Sequence, residues 1–217
     1  SNKDLESFAT IASHDLMAPV RKIINFAGAL LENSVRFSEN DKFLLDKIIN
    51  SGKRMRLLMD DILAYSRLAG HSFTFERVNL NDVLDEVMAN LSFEVMETKG
   101  KIQFEPFPII EANKIQMVQL FQNLISNSLK YRKENVPPVV KISSTREEEG
   151  FIKISVEDNG IGIKNEYADL VFQPFERLNP QIEGTGMGLA ICKKVVVSHG
   201  GKITVKSLPD GGVGVLY

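Results

Sequence analysis

Apolar residues in the first third of the chain recur at steps of three and four positions. One such stripe runs from Phe8 to Leu31, and a second runs from Leu44 to Tyr65. This spacing is typical of one face of an α-helix, and the first stripe is long enough for a helix of roughly 30 residues. Residues 1–69 are therefore predicted to form two long helices joined by a short turn.

The turn between the two helices ends in a motif that is typical of a helix start. Ser38 is followed three positions later by Asp41, which is the spacing of a capping box. Pro19 lies inside the first helix and is expected to bend it, because proline lacks a backbone donor. A single hairpin cannot cover both apolar stripes. We expect it to pair with a second copy as a four-helix bundle, and packing against the rest of its own chain is the alternative.

The pattern changes at Gly70, after which alternating and helical segments follow one another. Helices are predicted at 79–98, 113–132 and 187–199. Strands are predicted at 73–78, 139–145, 151–158, 203–207 and 213–217, with two more within 101–112. Helices mixed with antiparallel strands indicate an α/β sandwich over residues 70–217, whose last strand we expect to be cut short.

Composition and charge narrow the class of protein. The 217 residues include 26 Lys and Arg against 28 Asp and Glu, and 43% are hydrophobic. Such a balance is typical of a soluble globular protein and gives no support to a nucleic-acid partner. The single cysteine, Cys192, excludes an internal disulfide and a Cys-rich zinc site. No signal peptide or membrane-spanning run is visible, so we expect a cytoplasmic protein.

The first candidate for chemistry is His14, which lies beside the apolar stripe of the first helix and is followed by Asp15. An imidazole is a competent nucleophile near neutral pH when a carboxylate holds its second ring nitrogen. On these residues alone, a surface histidine without a role is the simpler interpretation.

A second candidate group lies on the helix predicted at 113–132. Asn123 and Asn127 are four positions apart and therefore share one face. Their oxygens suit a hard cation such as Mg²⁺, and their amides suit phosphate oxygens. Lys130 and Tyr131 follow on the next turn and could meet a phosphate and a base. A polar face on a surface helix is the alternative.

Two turns rich in glycine complete the candidates. Asp158-Asn-Gly-Ile-Gly162 ends a strand with a carboxylate that could accept from an exocyclic amine. Gly184-Thr-Gly-Met-Gly188 runs into a helix, whose N-terminal amides suit a phosphate. Neither spacing matches the dinucleotide fingerprint or the Walker loop, and each is also explained as a simple turn. Arg177 lies in the loop between them, free to reach a polyphosphate.

These motifs occur once each and in one order. They are His14-Asp15 with Pro19, Asn123-xxx-Asn127, Asp158-x-Gly-x-Gly162, Phe172-xx-Phe-x-Arg177 and Gly184-x-Gly-x-Gly188. Together they resemble the catalytic core of a two-component sensor histidine kinase, with most similarity to kinases that follow phytochrome or PAS sensors. The resemblance covers essentially the whole chain. It implies an α + α/β fold, in which a helical hairpin forms a dimeric four-helix bundle and precedes a Bergerat-type (GHKL) α/β sandwich that binds ATP.

The resemblance also implies a partner for each half of the reaction. His14 is expected to take the γ-phosphate of ATP, with Asp15 polarising its ring, and to pass it to an aspartate of a response-regulator receiver domain. The hairpin is expected to form a homodimer. The sensor domain that would precede it is absent from this sequence.

In the nucleotide site, the resemblance implies that Asn127 holds Mg²⁺ with Asn123 in support. Lys130 and Tyr131 would meet the phosphates and the ribose or adenine, and Asp158 would read the adenine amino group. A mobile lid over about residues 164–185 would carry Arg177 as a catalytic residue. The glycine motifs would shape the adenine pocket and cradle the phosphates, through Gly160 and Gly162 and through Gly184, Thr185, Gly186 and Gly188.

The chain departs from the family pattern at one functional position, and two other functions are alternatives to a histidine kinase. Ala18 stands where many relatives carry Thr or Asn to position water for dephosphorylating the partner, so phosphatase activity is expected to be weak. An ATPase of the chaperone, gyrase or mismatch-repair type needs a carboxylate where this chain has Asn123, and an amide cannot take a proton at neutral pH. A non-catalytic dimeric scaffold would bind ATP without forming phosphohistidine.

Overall fold

The computed structural model describes residues 2–32, 37–70, 74–147, 151–208 and 212–216. The chain divides into two compact units, Ser1–His71 and Ser72–Tyr217. Within the described ranges, every helix is too short or too polar to cross a membrane.

The first unit is the predicted helical hairpin. Helix α1 spans Asn2–Glu32, helix α2 spans Glu39–Gly70, and the two pack along each other. Helix α1 continues through Pro19 as one element, so the missing backbone donor does not end the helix there. The hairpin is confirmed.

The predicted capping box begins helix α2. The Ser38 hydroxyl accepts from the Asp41 backbone N–H (3.2 Å) and donates to Asp41 Oδ2 (2.7 Å). The Ser38 backbone N–H donates to the same carboxylate oxygen (2.9 Å). The hydroxyl and the backbone donor of Ser38 both stabilise the charged carboxylate, and they lower the pKa of Asp41.

Both helices of the hairpin carry large apolar side chains that this chain leaves uncovered. Val20, Ala27 and Met59 are buried between the helices. Side chains that are roughly half or more exposed include Leu16, Ile23, Phe26 and Leu30 in α1, and Phe43, Leu44, Ile48, Met55 and Leu57 in α2. Exposed apolar surface of this extent marks an interaction face.

The second unit is an α/β sandwich, and the predicted fold class is confirmed. Its main sheet has five strands in the order β2-β4-β5-β7-β6, and a separate two-stranded sheet pairs β1 with β3. In chain order the elements are β1 Glu76–Asn79, α3 Leu80–Asn90, α4 Ser92–Thr98, β2 Lys101–Phe104, β3 Ile109–Ala112, α5 Lys114–Lys130, β4 Val139–Arg146, β5 Ile152–Asp158, α6 Gly188–Ser198, β6 Thr204–Leu208 and β7 Gly212–Leu216.

The strands of the main sheet are mixed in direction. Strand β2 runs parallel to β4, whereas β4 with β5, β5 with β7 and β6 with β7 are antiparallel. Strand β7 therefore lies between β5 and β6, and β6 forms an edge.

Two predicted segments differ from the structure. The helix predicted at 79–98 is two helices, because the chain turns at Leu91, whose side chain is buried, whereas α4 beyond it has no buried residue. The strand predicted at 73–78 begins at Glu76, and Phe73 lies outside the described residues. The two short strands predicted within 101–112 are present, but they belong to different sheets.

Helix α5 is the central element of the second unit. It buries Met117, Leu120, Phe121, Leu124 and Ile125, and it packs against α3, α6 and β5. A helix so extensively buried has little freedom to shift. The polar residues that interrupt its apolar surface are therefore held in fixed positions.

The first turn of α5 is tied to the last turn of α6. Asn113 caps α5 by accepting from the Gln116 backbone N–H (3.1 Å). Its own backbone N–H donates to Nε2 of His199, whose Nδ1 lies 2.8 Å from the Val195 carbonyl oxygen. His199 thus joins two helices.

Candidate functional site

Two asparagines of α5 lie against the start of α6. Asn123 and Asn127 are both half-buried, and Asn123 Nδ2 donates to the Gly188 carbonyl oxygen (3.4 Å). A Cβ atom at Gly188 would lie 3.8 Å from Asn123 Oδ1 and 3.8 Å from Asn127 Nδ2. The structure therefore brings both carboxamides to the first residue of the helix that follows the second glycine motif.

Asn123 has a further partner in Cys192. Its side chain hydrogen-bonds the thiol, while complete burial raises the pKa of Cys192 to about 12. The thiol is therefore protonated at neutral pH and acts as a small core residue. Protein atoms hold Asn123 on two sides, so it is better placed to support a ligand site than to coordinate a ligand itself.

Asp158 is the last residue of β5, and its carboxylate is held by two donors. Oδ1 accepts from the Gly160 backbone N–H (2.8 Å), and Oδ2 lies 3.2 Å from the Ser128 hydroxyl of α5. An ionised carboxylate has about four lone-pair sites, which is more than these two bonds use.

The turn after Asp158 is fastened to the end of α5. The Tyr131 carbonyl oxygen accepts from the Ile161 backbone N–H (2.9 Å). A Cβ atom at Gly160 would collide with that same oxygen and would lie 2.9 Å from Asp158 Oδ1. Only glycine fits here, and the close approach keeps Asp158 beside the Tyr131 end of the helix. Gly162 follows with a left-handed φ of 77°.

Asn159 closes the other side of this turn. Its Oδ1 accepts from the Val139 backbone N–H (2.8 Å), and its Nδ2 donates to the Pro137 carbonyl oxygen (3.2 Å). The turn is thereby bonded to the start of β4 as well as to α5. Asn159, the second residue of the turn, therefore bonds the backbone at the start of β4. Asp158, the first residue, lies against α5.

The second glycine motif is in close contact with the loop that precedes it, through Gly186 and Phe175. The Phe175 backbone N–H donates to the Gly186 carbonyl oxygen (3.1 Å). A Cβ atom at Gly186 would lie 2.7 Å from the Phe175 carbonyl carbon, and Gly186 has a φ of 80°. Thr185 Oγ1 accepts from the Met187 backbone N–H (3.3 Å) just before α6 begins. This contact fixes where the loop meets the start of α6.

The loop expected to act as a lid is anchored at its middle. Val171 and Phe172 are buried, and the Lys193 ammonium lies 5.8 Å from the centre of the Phe172 ring. Phe175, three residues on, is exposed and has a left-handed φ of 67°. Movement of this loop therefore has to be confined to the residues on either side of the 171–172 anchor.

Arg177 lies inside this loop in a way that its sequence did not indicate. Its Nη2 donates to the carbonyl oxygens of Pro180 (2.7 Å) and Ile182 (2.6 Å), and its Nε is buried without a hydrogen-bond partner. We expected a free guanidinium, but carbonyl groups outside any helix or strand converge on it. A role for Arg177 in catalysis stays a prediction.

The remaining predicted residues lie near the place where α5, the Asp158 turn and the start of α6 meet, or apart from it. Lys130 is exposed and Tyr131 is half-buried at the end of α5, while Gly184 lies beyond the contact at Gly186. His14 and Asp15 belong to helix α1 of the other unit, and their side chains lie outside the described part of the molecule. The structure thus brings Asn123 and Asn127 to Gly188, and it brings Asp158 and Gly160 to the end of α5. It leaves the acceptor pair untested.

Ser128 is a site residue that sequence reasoning missed. It is buried, and it continues the stripe of Leu120 and Leu124 at steps of four. A polar residue in an apolar stripe is the feature that could have revealed it.

Comparison with known proteins assigns both units. Residues 4–70 match the His Kinase A (phospho-acceptor) domain family. Residues 112–216 match the family of histidine kinase-, DNA gyrase B- and HSP90-like ATPases. The chain belongs to the histidine kinases.

Individual relatives agree with this family. The histidine kinase chain is 37% identical over 210 residues to cyanobacterial phytochrome A of Nostoc sp., covering 95% of this chain and 27% of that protein. It is 37% identical over 215 residues to phytochrome-like protein Cph1 of Synechocystis sp., covering 98% of this chain and 28% of that protein. The chain therefore spans little more than a quarter of these relatives.

A solved structure agrees in fold. Full-length ShkA in complex with AMPPNP superposes with a TM-score of 0.75 at 23% identity, over 97% of this chain and 44% of that one. The hairpin and the sandwich thus occur together, in the same order, in that protein.

Proposed function

We propose that this histidine kinase chain is the catalytic core of a two-component sensor kinase. It would transfer the γ-phosphoryl group of ATP to His14 and then to an aspartate of a receiver domain. The observation that carries the proposal is one junction in the second unit, where the end of α5, the Asp158 turn and the start of α6 meet. The histidine of the other unit supplies the acceptor.

Asp158 and the glycine motifs would bind the nucleotide. The carboxylate of Asp158 accepts hydrogen bonds and therefore suits the 6-amino group of adenine. Gly162 continues the wall of the pocket, while backbone donors from Gly184 to Gly188 precede α6 and suit phosphate oxygens. Lys130 and Tyr131, at the end of α5, would meet the phosphates and the sugar or base.

The donor set also fits Mg²⁺. No group of three or more His, Cys, Asp or Glu side chains that could hold a metal occurs in the described part of the chain. The half-buried amide oxygen of Asn127, with Asn123 holding the start of α6, matches an ion that takes few protein ligands and binds mainly through substrate phosphates and water. When bound, Mg²⁺ would neutralise charge on the phosphates.

His14 would act as the nucleophile and Asp15 would orient it. A ring nitrogen of His14 forms a bond to the γ-phosphorus as the bond to the ADP oxygen breaks, and ADP leaves. The phosphoryl group then moves to a receiver carboxylate and the imidazole is regenerated. Phosphoryl transfer asks mainly for positioning and charge neutralisation, so ordering of the acceptor and the phosphates supplies most of the rate.

The exposed apolar face of the hairpin supports a homodimer as the working unit. Both helices contribute to it, as expected for four helices that share one core. The same hairpin would present His14 to the receiver domain.

Incubation with γ-labelled ATP and Mg²⁺ tests the proposal. Label should be lost in acid, survive alkali and be absent from His14→Gln, because phosphohistidine is acid-labile and needs this side chain. His71→Gln is the matched control and should be labelled like the parent chain. A chain that binds ATP normally yet takes no label would instead be a nucleotide-binding scaffold.

A further inference from the structure

Ser128 is buried in the core of the ATP-binding unit. It is 5% exposed, and with Gln116 it makes up the buried polar or charged residues among those described. A buried hydroxyl group destabilises a protein unless it forms a hydrogen bond. Leu120 and Leu124 precede it at steps of four on the same buried stripe, where apolar residues are usual.

The Ser128 proton has two acceptors within reach. Oγ lies 3.1 Å from the Leu124 carbonyl oxygen and 3.2 Å from Asp158 Oδ2. The carbonyl of Leu124 already lies opposite the Ser128 backbone N–H, four residues on in the same helix. A carboxylate is the stronger acceptor, so the proton is donated to Asp158.

We propose that Ser128 is a positioning residue that gives this kinase its selectivity for the nucleotide base. The inference rests on the proposed function, because it assigns the Asp158 carboxylate to the 6-amino group of the base. Gly160 N–H holds Oδ1 and the Ser128 hydroxyl holds Oδ2, so both oxygens, and with them the plane of the carboxylate, are fixed.

A fixed carboxylate discriminates between bases in two ways. It accepts a hydrogen bond from the amino group of adenine, and it repels a carbonyl oxygen at the same position, as in guanine. Without the Ser128 donor, Oδ2 loses one of the hydrogen bonds that hold it in place. Removal of the amino group from the nucleotide should then reduce the affinity by a smaller factor, because the contact between that group and Asp158 has become weaker.

The test compares two nucleotides against two proteins. Affinities for ATP and for purine riboside triphosphate, which lacks the 6-amino group, are measured by calorimetry on the parent chain and on Ser128→Ala. The parent should favour ATP, and this preference should shrink about fivefold or more in the variant. Ser126→Ala, on the same helix two positions away, is the matched control and should keep the parent ratio.

Each other outcome is decisive. An equal loss of affinity for both nucleotides in Ser128→Ala, with the ratio unchanged, would mean that Ser128 only supports the fold and would overturn the inference. Ser128→Thr keeps the hydroxyl and should restore the preference, and failure to do so would also count against it. A parent chain that does not bind ATP would overturn the proposed function instead.

Discussion

At Gly160 there is no room for a side chain, because the Tyr131 carbonyl oxygen occupies the place that a Cβ atom would take. That oxygen accepts from Ile161, the next residue, so the chain cannot move away without breaking the bond. The glycine is therefore needed to join a strand end to a helix end, whether or not a nucleotide is bound.

Replacement of Gly160 by alanine should destabilise the second unit. Overpacking of this kind typically costs about 1–3 kcal/mol, and the loss should be visible as a lower midpoint of urea unfolding. Gly188→Ala is the stability control, since its new contacts begin at 3.8 Å, an ordinary van der Waals distance. Equal midpoints for the two variants would contradict the steric argument.

Sequence reasoning succeeded for residues whose partners follow from a local motif. The predicted capping box of Ser38 connects positions three apart, and the predicted turn after Asp158 is closed by a bond between positions two apart. It missed the bond between Ser128 and Asp158, because that bond joins positions 30 apart and depends on how β5 lies against α5. It also missed the two loop carbonyl groups that accept from Arg177, because the direction of a loop carbonyl leaves no periodic pattern in the sequence.

Among the secondary-structure elements, those with long periodic stripes were predicted well. Helices α1, α2 and α5 and the β4–β5 pair occur where the spacing placed them. The break at Leu91 was missed because apolar residues continue on both sides of it, so the sequence pattern shows no boundary there. The division of β2 and β3 between two sheets depends on pairing partners, which alternation along one strand does not specify.

The capping box of α2 makes the hairpin sensitive to acid. The pKa of Asp41 is lowered from an ordinary value of 3.8, so its bonds to Ser38 stabilise the fold above that pH and are lost as the pH falls through the lowered pKa. Asp41→Ala should therefore melt at a lower temperature than the parent at pH 7, and the difference should shrink on acidification below pH 3.8.

A second acid on the same helix provides the comparison. Asp46 is exposed and lies beyond the first turn of α2, where the positive end of the helix dipole no longer acts. Asp46→Ala should melt like the parent at pH 7. A drop as large as that of Asp41→Ala would mean that negative charge anywhere on α2, and not the box with Ser38, stabilises the helix.

For the whole molecule, the exposed apolar face of the hairpin is the surface that we propose for dimerisation. Phe26 is 67% exposed in the single chain, and in a four-helix bundle it would be covered by the second copy. Phe26→Glu should shift the chain from dimer to monomer in sedimentation equilibrium, because an unpaired carboxylate in an apolar interface is costly. Arg21→Glu, exposed on a different face of α1, should remain dimeric. A dimeric Phe26→Glu chain would place the interface elsewhere.

The place of β7 between β5 and β6 has a consequence for synthesis on the ribosome. A strand made later in translation separates two strands made earlier, so β6 has no partner in the main sheet until β7 emerges. Until then, β5 keeps an open edge that can pair with another nascent chain. That edge stays open while residues 159–211 are made, because all of them precede β7, and this interval is the window for misfolding.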